Sequence, residues 1–233
     1  MRPWNRVRSR FGRLVLRSRL QSGRSDEWVR LGSSYGGWWI PRWTLIPGGL
    51  AYCAGVGEDL SFDEELVARG MNVVAFDPTP RAISFVESHE PMPGFSFEPV
   101  GWWDAEDELR FYEPADPAHV SHSAVNLQRT DRYFLAPVTT VRQCLVRRAD
   151  RVPDVIKMDI EGAEYRVLRS MLFHGILPRV LLVEFNQPTA LRRPLAAVEA
   201  LRTAGYRVGS VEDWNVTFVR GRPAQPPART AES

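Results

Sequence analysis

The most constraining stretch runs from Leu50 to Pro78, LAYCAGVGEDLSFDEELVARGMNVVAFDP. An apolar run enters Cys53-Ala54-Gly55-Val56-Gly57. A helical segment follows, and a second apolar run, Val73-Val74-Ala75-Phe76, ends in Asp77. This pattern predicts one βαβ unit with a glycine turn between the first strand and the helix. Gly55 and Gly57 lack a Cβ, so the backbone there can turn tightly and approach a ligand. The helix that follows aims its free N–H groups and positive dipole end at the turn. Ser61 and Glu64 have capping-box spacing, and Gly70 is placed to end the helix. Asp77 follows Gly57 by about 20 residues, where an acidic side chain can accept the hydroxyls of a ribose.

The turn departs from a dinucleotide fingerprint. Leu60 stands where a third glycine would allow close helix packing and pyrophosphate approach. Glu58 and Asp59 place two negative charges at the helix start. Those charges disfavour a pyrophosphate and suit a cationic or zwitterionic ligand, such as the sulfonium and amino group of S-adenosylmethionine. That cofactor is therefore preferred to NAD.

A second charged stretch is Val155-Ile156-Lys157-Met158-Asp159-Ile160-Glu161-Gly162-Ala163-Glu164. An apolar strand acquires charge at its C-terminal end, and a helix begins near Gly162. Open parallel sheets bind ligands outside the carboxyl ends of their strands. Carboxylates gathered there could hold an amino group, deprotonate a hydroxyl or bind a divalent cation. The alternative is a helix N-terminus that favours acids through its dipole.

Between these stretches, Arg81–Ser88 reads as a helix and Phe95–Val100 as a third strand leading into Gly101-Trp102-Trp103-Asp104. Trp102 or Trp103 could stack on an adenine, and Asp104 could accept its amino group. Leu109–Tyr112 reads as a short edge strand. The polar segment from Pro114 to Tyr133 contains His119 and His122, candidate bases because histidine titrates near neutral pH. Val138–Arg148 reads as a strand turning into a helix. Farther on, Tyr165–Phe173 and Leu195–Ala204 read as helices. Arg179–Phe185 is a buried strand with Glu184 near its end, and Tyr206–Val211 and Asn215–Val219 form an antiparallel pair.

The order of these segments resembles the FkbM family of S-adenosylmethionine-dependent methyltransferases. The charged stretch is similar to the K-x-D-x-E-G-A-E signature of that family. Gly55-Val56-Gly57, Ala75-Phe76-Asp77-Pro78, Gly101-Trp102-Trp103-Asp104, Val138-Thr139-Thr140-Val141 and Leu181-Leu182-Val183-Glu184-Phe185 follow in the expected order. The resemblance covers roughly residues 50 to 220. It implies an α/β, Rossmann-like class I methyltransferase fold, a mostly parallel seven-stranded sheet with a C-terminal antiparallel strand pair. It implies transfer of a methyl group to a hydroxyl on a sugar, polyketide or related small metabolite. The expected cofactor contacts are Cys53, Ala54, Gly55 and Gly57 in the turn, Asp77 and Pro78, Trp102 and Asp104, and Asp159. The expected catalytic residues are Asp159, Glu161 and His122, with a divalent metal as an option. The turn departs from the family pattern: Cys53 replaces an acid two residues before Gly55, and the family's Gly-Ala-Asn-x-Gly turn is absent. Two rival readings use the same residues. One is a nicotinamide-dependent oxidoreductase; the other is a non-catalytic scaffold on this fold.

Length and charge bound the rest. The 233 residues suit one domain with extensions, 1–34 as a basic N-terminal helix or arm, 35–220 as the methyltransferase domain and 221–233 as a disordered tail. In the arm, Trp4, Val7, Phe11 and Leu14 recur at helical spacing, which could contact an anionic membrane or dock on the domain itself. The net charge of +2 makes no electrostatic case for nucleic acid. Of 30 Lys and Arg residues only Lys157 is a lysine, which fits a codon-biased bacterial source. Two cysteines and no long apolar run predict a cytoplasmic protein. The partner expected is a small-molecule or glycan acceptor. Its identity and the oligomeric state have no readable code.

Overall fold

A computed structural model of the protein describes residues 27–114, 122–126, 129–185 and 191–221. The amphipathic N-terminal helix, His119 and the tail beyond Gly221 lie outside these residues. The elements in chain order are β1 (Trp28–Leu31), β2 (Trp38–Pro41), β3 (Leu50–Ala54), α1 (Ser61–Val67), β4 (Asn72–Phe76), α2 (Pro80–Glu87), β5 (Phe95–Glu98), β6 (Gly101–Trp102), β7 (Asp107–Tyr112), β8 (Tyr133–Thr139), α3 (Val141–Arg148), β9 (Val155–Met158), α4 (Glu164–Phe173), β10 (Val180–Glu184), α5 (Arg192–Thr203), β11 (Tyr206–Glu212) and β12 (Asn215–Arg220).

Seven strands form the main sheet in the order β11-β12-β10-β9-β3-β4-β5. The five from β5 to β10 are parallel, and β12 runs antiparallel between β10 and β11. The chain starts this sheet at its centre, moves out through β4 and β5, and returns to the other side of β3 with β9. The order thus reverses between β3 and β9, and the carboxyl ends of those strands flank a crevice.

The central strands are buried on both faces, as parallel strands between covering layers must be. Their alternating residues divide the core in two. Tyr52, Ala54, Val74, Phe76, Ile156, Met158, Leu181 and Val183 face α3, α4 and α5, meeting Cys144, Val167, Leu168, Met171, Val198 and Leu201. Ala51, Cys53, Val73, Val155, Val180 and Leu182 face the other way, against Phe62 and Leu66 of α1.

That second face carries a layer whose first strand the sequence reading places outside the domain. β1 and β2 pair as an antiparallel hairpin, and their Leu31, Trp38 and Ile40 are buried in the same cluster as α1. Each such side chain contributes roughly 1.5–3 kcal/mol of burial. Residues 28–34, expected in the arm, therefore belong to the packed body. The third strand also differs. Pro99 has no N–H to continue a ladder, so β5 stops at Glu98. Gly101-Trp102 then leaves the main sheet to pair with β8, which with β7 forms a separate three-stranded sheet. Among the described residues, no helix is long and apolar enough to cross a membrane.

Candidate functional site

The glycine turn is fixed by bonds from three directions. Gly55 has φ +88°, and a Cβ there would run into the carbonyl of Asp159, so no other residue fits. Its N–H donates to Phe76 O at 2.9 Å, and the Lys157 ammonium donates to its carbonyl at 2.6 Å. Asp77 closes the turn from the end of β4. Its Oδ2 accepts the N–H groups of Val56 and Gly57, each at 3.0 Å. Its Oδ1 accepts the Thr79 N–H at 2.9 Å and the Thr79 hydroxyl at 2.6 Å. Every acceptor position of this carboxylate is engaged within the chain. Asp77 lies at the expected place beside the turn, but its bonds shape the loop instead of standing open to a ribose.

The helix start departs from the capping-box expectation. Asp59 Oδ1 accepts the Ser61 N–H at 2.8 Å, while the Ser61 hydroxyl accepts the Ser33 N–H at 2.7 Å. Asp59 Oδ2 also accepts the Ser33 hydroxyl at 2.5 Å. Burial pushes the Asp59 carboxyl up, but the bonds from Ser33 and Ser61 and the nearby Lys157 outweigh it and hold it below its usual range. Glu58 pairs with Arg81 at 2.7 Å.

The acidic stretch sits directly across from the turn. β9 ends at Met158, so strand alternation does not govern Asp159. Asp159 instead leaves the sheet with its N–H bonded to Ala54 O at 3.0 Å. Glu161 follows in a left-handed backbone conformation, and its carbonyl accepts the Ser123 hydroxyl. Glu184, at the end of β10, is hydrogen-bonded to Asp159. Repulsion from Asp159, then burial, pushes the Glu184 carboxyl well up, so the Asp159–Glu184 pair favours sharing one proton. Glu164 is fully buried and folds back to accept the Gly162 N–H at 3.0 Å. Burial pushes it up to about 8.

Lys157 is 5 % exposed. Burial disfavours its charge, yet Asp159 and Asp63 outweigh that and hold its pKa above the ordinary lysine value. Asp63 projects from α1 onto the same face and is hydrogen-bonded to the Cys53 thiol. Burial, partly opposed by Lys157, pushes Asp63 up to about 6. Cys53 therefore does not line the cavity. It lies one residue before the cavity-facing Ala54, so the strand's alternation turns it under α1.

These residues border a cleft at the carboxyl ends of the central strands, open to solvent on one side. Ala54, Gly55, Gly57, Asp77, Pro78, Trp102, His122, Asp159 and Glu161 all line it. Trp102 is mostly buried against Phe76 and Tyr52, with ring centroids 5.0 and 6.3 Å away. His122 stands edge-on to Phe134 at 5.4 Å. Asp104 is not part of the lining. Arg166 and Arg169 of α4 hold its carboxylate at 3.0 and 3.4 Å, which draws it away from an adenine.

The stretch that carries the crevice, the glycine turn and the acidic strand end lies in residues 54–208, which match the methyltransferase FkbM domain. The chain belongs to this family. No curated protein matches it. Among solved structures, the FkbM chain is similar to a TehB-like SAM-dependent methyltransferase from Corynebacterium glutamicum. That likeness has 12% identity and a TM-score of 0.39, over 76% of this chain and 82% of that one. A precorrin-6y C5,15-methyltransferase from Geobacter metallireducens is similar at 13% identity and a TM-score of 0.40, over 77% and 87%.

Three contributors to the FkbM site were not marked by the sequence. Tyr35 and Gly36 line the cavity from the β1–β2 turn, outside the span that matches the family. Asp63 reaches Cys53 and the charge of Lys157 from a helix position that reads as ordinary amphipathic surface. Among the described residues, no group of three or more His, Cys, Asp or Glu side chains is arranged to hold a metal ion.

Proposed function

We propose that this protein is an O-methyltransferase that uses S-adenosylmethionine to methylate a hydroxyl of a sugar, polyketide or related small metabolite. The observation that carries the reading is the pairing of a tightly held glycine turn with an acidic wall one strand away. The cofactor, when bound, supplies an electrophilic methyl group on a cationic sulfonium. The residues present fit it: the turn offers close backbone approach for the adenosine, and Asp159 and Glu161 line the end suited to its ammonium and sulfonium charges. Asp77 contributes by holding the turn, and Leu60, buried between α1 and α2, fills the space that a dinucleotide turn keeps clear.

A hydroxyl acceptor must lose its proton as the methyl group arrives. Asp159 and His122 face the same cavity and are the candidate bases. The hydrogen bond between Glu184 and Asp159 orients the Asp159 carboxylate. Holding acceptor and donor in line supplies much of the acceleration in such a displacement.

Calorimetric titration with S-adenosylmethionine, followed by transfer of labelled methyl groups to a panel of hydroxylated acceptors, tests the reading. The assay is run with and without a chelator, because these carboxylates could also engage a divalent cation. Asp159→Asn is expected to lower transfer at least about 100-fold. Folded protein that binds neither S-adenosylmethionine nor S-adenosylhomocysteine overturns the proposal.

A further inference from the structure

One wall of the cavity comes from the hairpin that precedes the family-matched span. The turn between β1 and β2 is fastened to the start of α1. The Ser33 N–H and hydroxyl bind Ser61 and Asp59, and the Gly32 N–H donates to Glu65 Oε1 at 3.1 Å. Arg30 crosses the turn to donate to the Ser33 carbonyl at 2.5 Å. Gly36 packs against the Asp59 carboxylate with no room for a side chain. The tip is therefore a built feature with a fixed position.

On this fixed tip Tyr35 is 81 % exposed, yet it lines the cavity. Large rings usually bury their area, and this one is tethered where it cannot fold away. The charges that act on its phenol are those of the acidic wall. Desolvation at the cleft wall and then the carboxylates there, Asp159 first, push the phenol up. A neutral aromatic face beside an acidic wall is a surround for a cation, since the ring quadrupole and the carboxylates attract charge of the same sign.

We infer that Tyr35 covers the sulfonium end of bound S-adenosylmethionine and contacts that cation with its ring face. The inference rests on the cofactor reading above. Covering this end also keeps water from the methyl group.

The test is calorimetric titration of wild type, Tyr35→Ala and Tyr35→Phe with S-adenosylmethionine and with S-adenosylhomocysteine, which lacks the positive charge. Thermal melting of each variant checks folding, and the exposure of Tyr35 predicts no change. Tyr35→Ala is expected to weaken S-adenosylmethionine roughly three- to thirty-fold and S-adenosylhomocysteine less. Tyr35→Phe keeps the ring face and is expected to bind within about two-fold of wild type. Ser33→Ala frees the tip and is expected to shift binding in the same direction as Tyr35→Ala. Unchanged binding by Tyr35→Ala overturns the inference while leaving the cofactor reading intact. Equal losses for both ligands put the ring on a part that they share and overturn it too. Wild type that binds neither ligand removes the cofactor reading and this inference together.

Discussion

Asp77 accepts four hydrogen bonds from its own chain, and removing it strips the glycine turn of its fastening. Asp77→Ala is expected to cost about 2–4 kcal/mol in urea unfolding, since bonds to a charged acceptor are each worth about 1.5–3 kcal/mol and overlap when lost together. It is also expected to weaken S-adenosylmethionine binding by loosening the turn. Glu164 gives a pH signature. Burial raises its folded pKa to about 8 from an ordinary value of 4.5. Between those values the unfolded chain has released a proton that the folded chain keeps, so stability falls as pH rises and levels off above the folded pKa. Glu164→Gln removes this dependence. The stability of wild type relative to Glu164→Gln is expected to fall by up to about 1.4 kcal/mol per pH unit from pH 5 to 8. Equal slopes for the two proteins in urea titrations over that range would contradict the assignment. Residues differed in how legible they were. The position of Asp77 follows from spacing, but its bonds depend on how the loop folds back. Cys53 was readable in principle, because strand alternation cannot send both it and Ala54 into the cavity. Asp104 was not readable, because the arginines that hold it are on α4, more than 60 residues later.

The elements were read with good placement and imperfect ends. The inner strands of the parallel sheet fall in largely apolar runs, because a strand buried on both faces leaves that signature, while the edge strand β5 alternates. The start of α1 was assigned to the wrong residue. Ser61 has the spacing of a cap, but it is the first helical residue and Leu60 stands at the cap position; the Ser61 N–H donates to Asp59 and its hydroxyl accepts from the hairpin. The two side chains can be separated by mutation. Asp59→Ala loses the bonds from the Ser61 N–H and the Ser33 hydroxyl, and is expected to cost about 1–2 kcal/mol. Ser61→Ala loses one bond to the hairpin, and is expected to cost under about 1 kcal/mol. Thermal or urea unfolding that ranks them the other way would contradict this division of roles. The hairpin itself went unread because Gly36-Gly37 and Pro41 break any period in its sequence, and its partners lie at the far end of the chain.

At the scale of the whole molecule, the hairpin joins that far end to the site. The Thr217 hydroxyl of β12 donates to Trp39 O at 2.8 Å, and Arg30 pairs with Glu212 of β11 at 3.3 Å. The ladder between β11 and β12 shifts register between Val208 and Ser210, and a methyl group on Gly209 would collide with the Trp28 ring and Val219. Gly209→Ala is expected to cost about 1–3 kcal/mol, typical of overpacking. It is also expected to expose Trp28, readable as increased quenching of tryptophan fluorescence by acrylamide. The doubly wound sheet was legible from the alternation of strands and helices. The pairing of the layer over its second face was not, because part of what holds that layer lies some 180 residues away. This separation sets an order of events at the ribosome. The glycine turn and its parallel strands emerge well before β12, and until then the hairpin has no finished edge to rest on. A nascent chain that stops short of Asn215 can rest its hairpin on α1 alone, and the cover gains its second support only once Thr217 and its strand have been made.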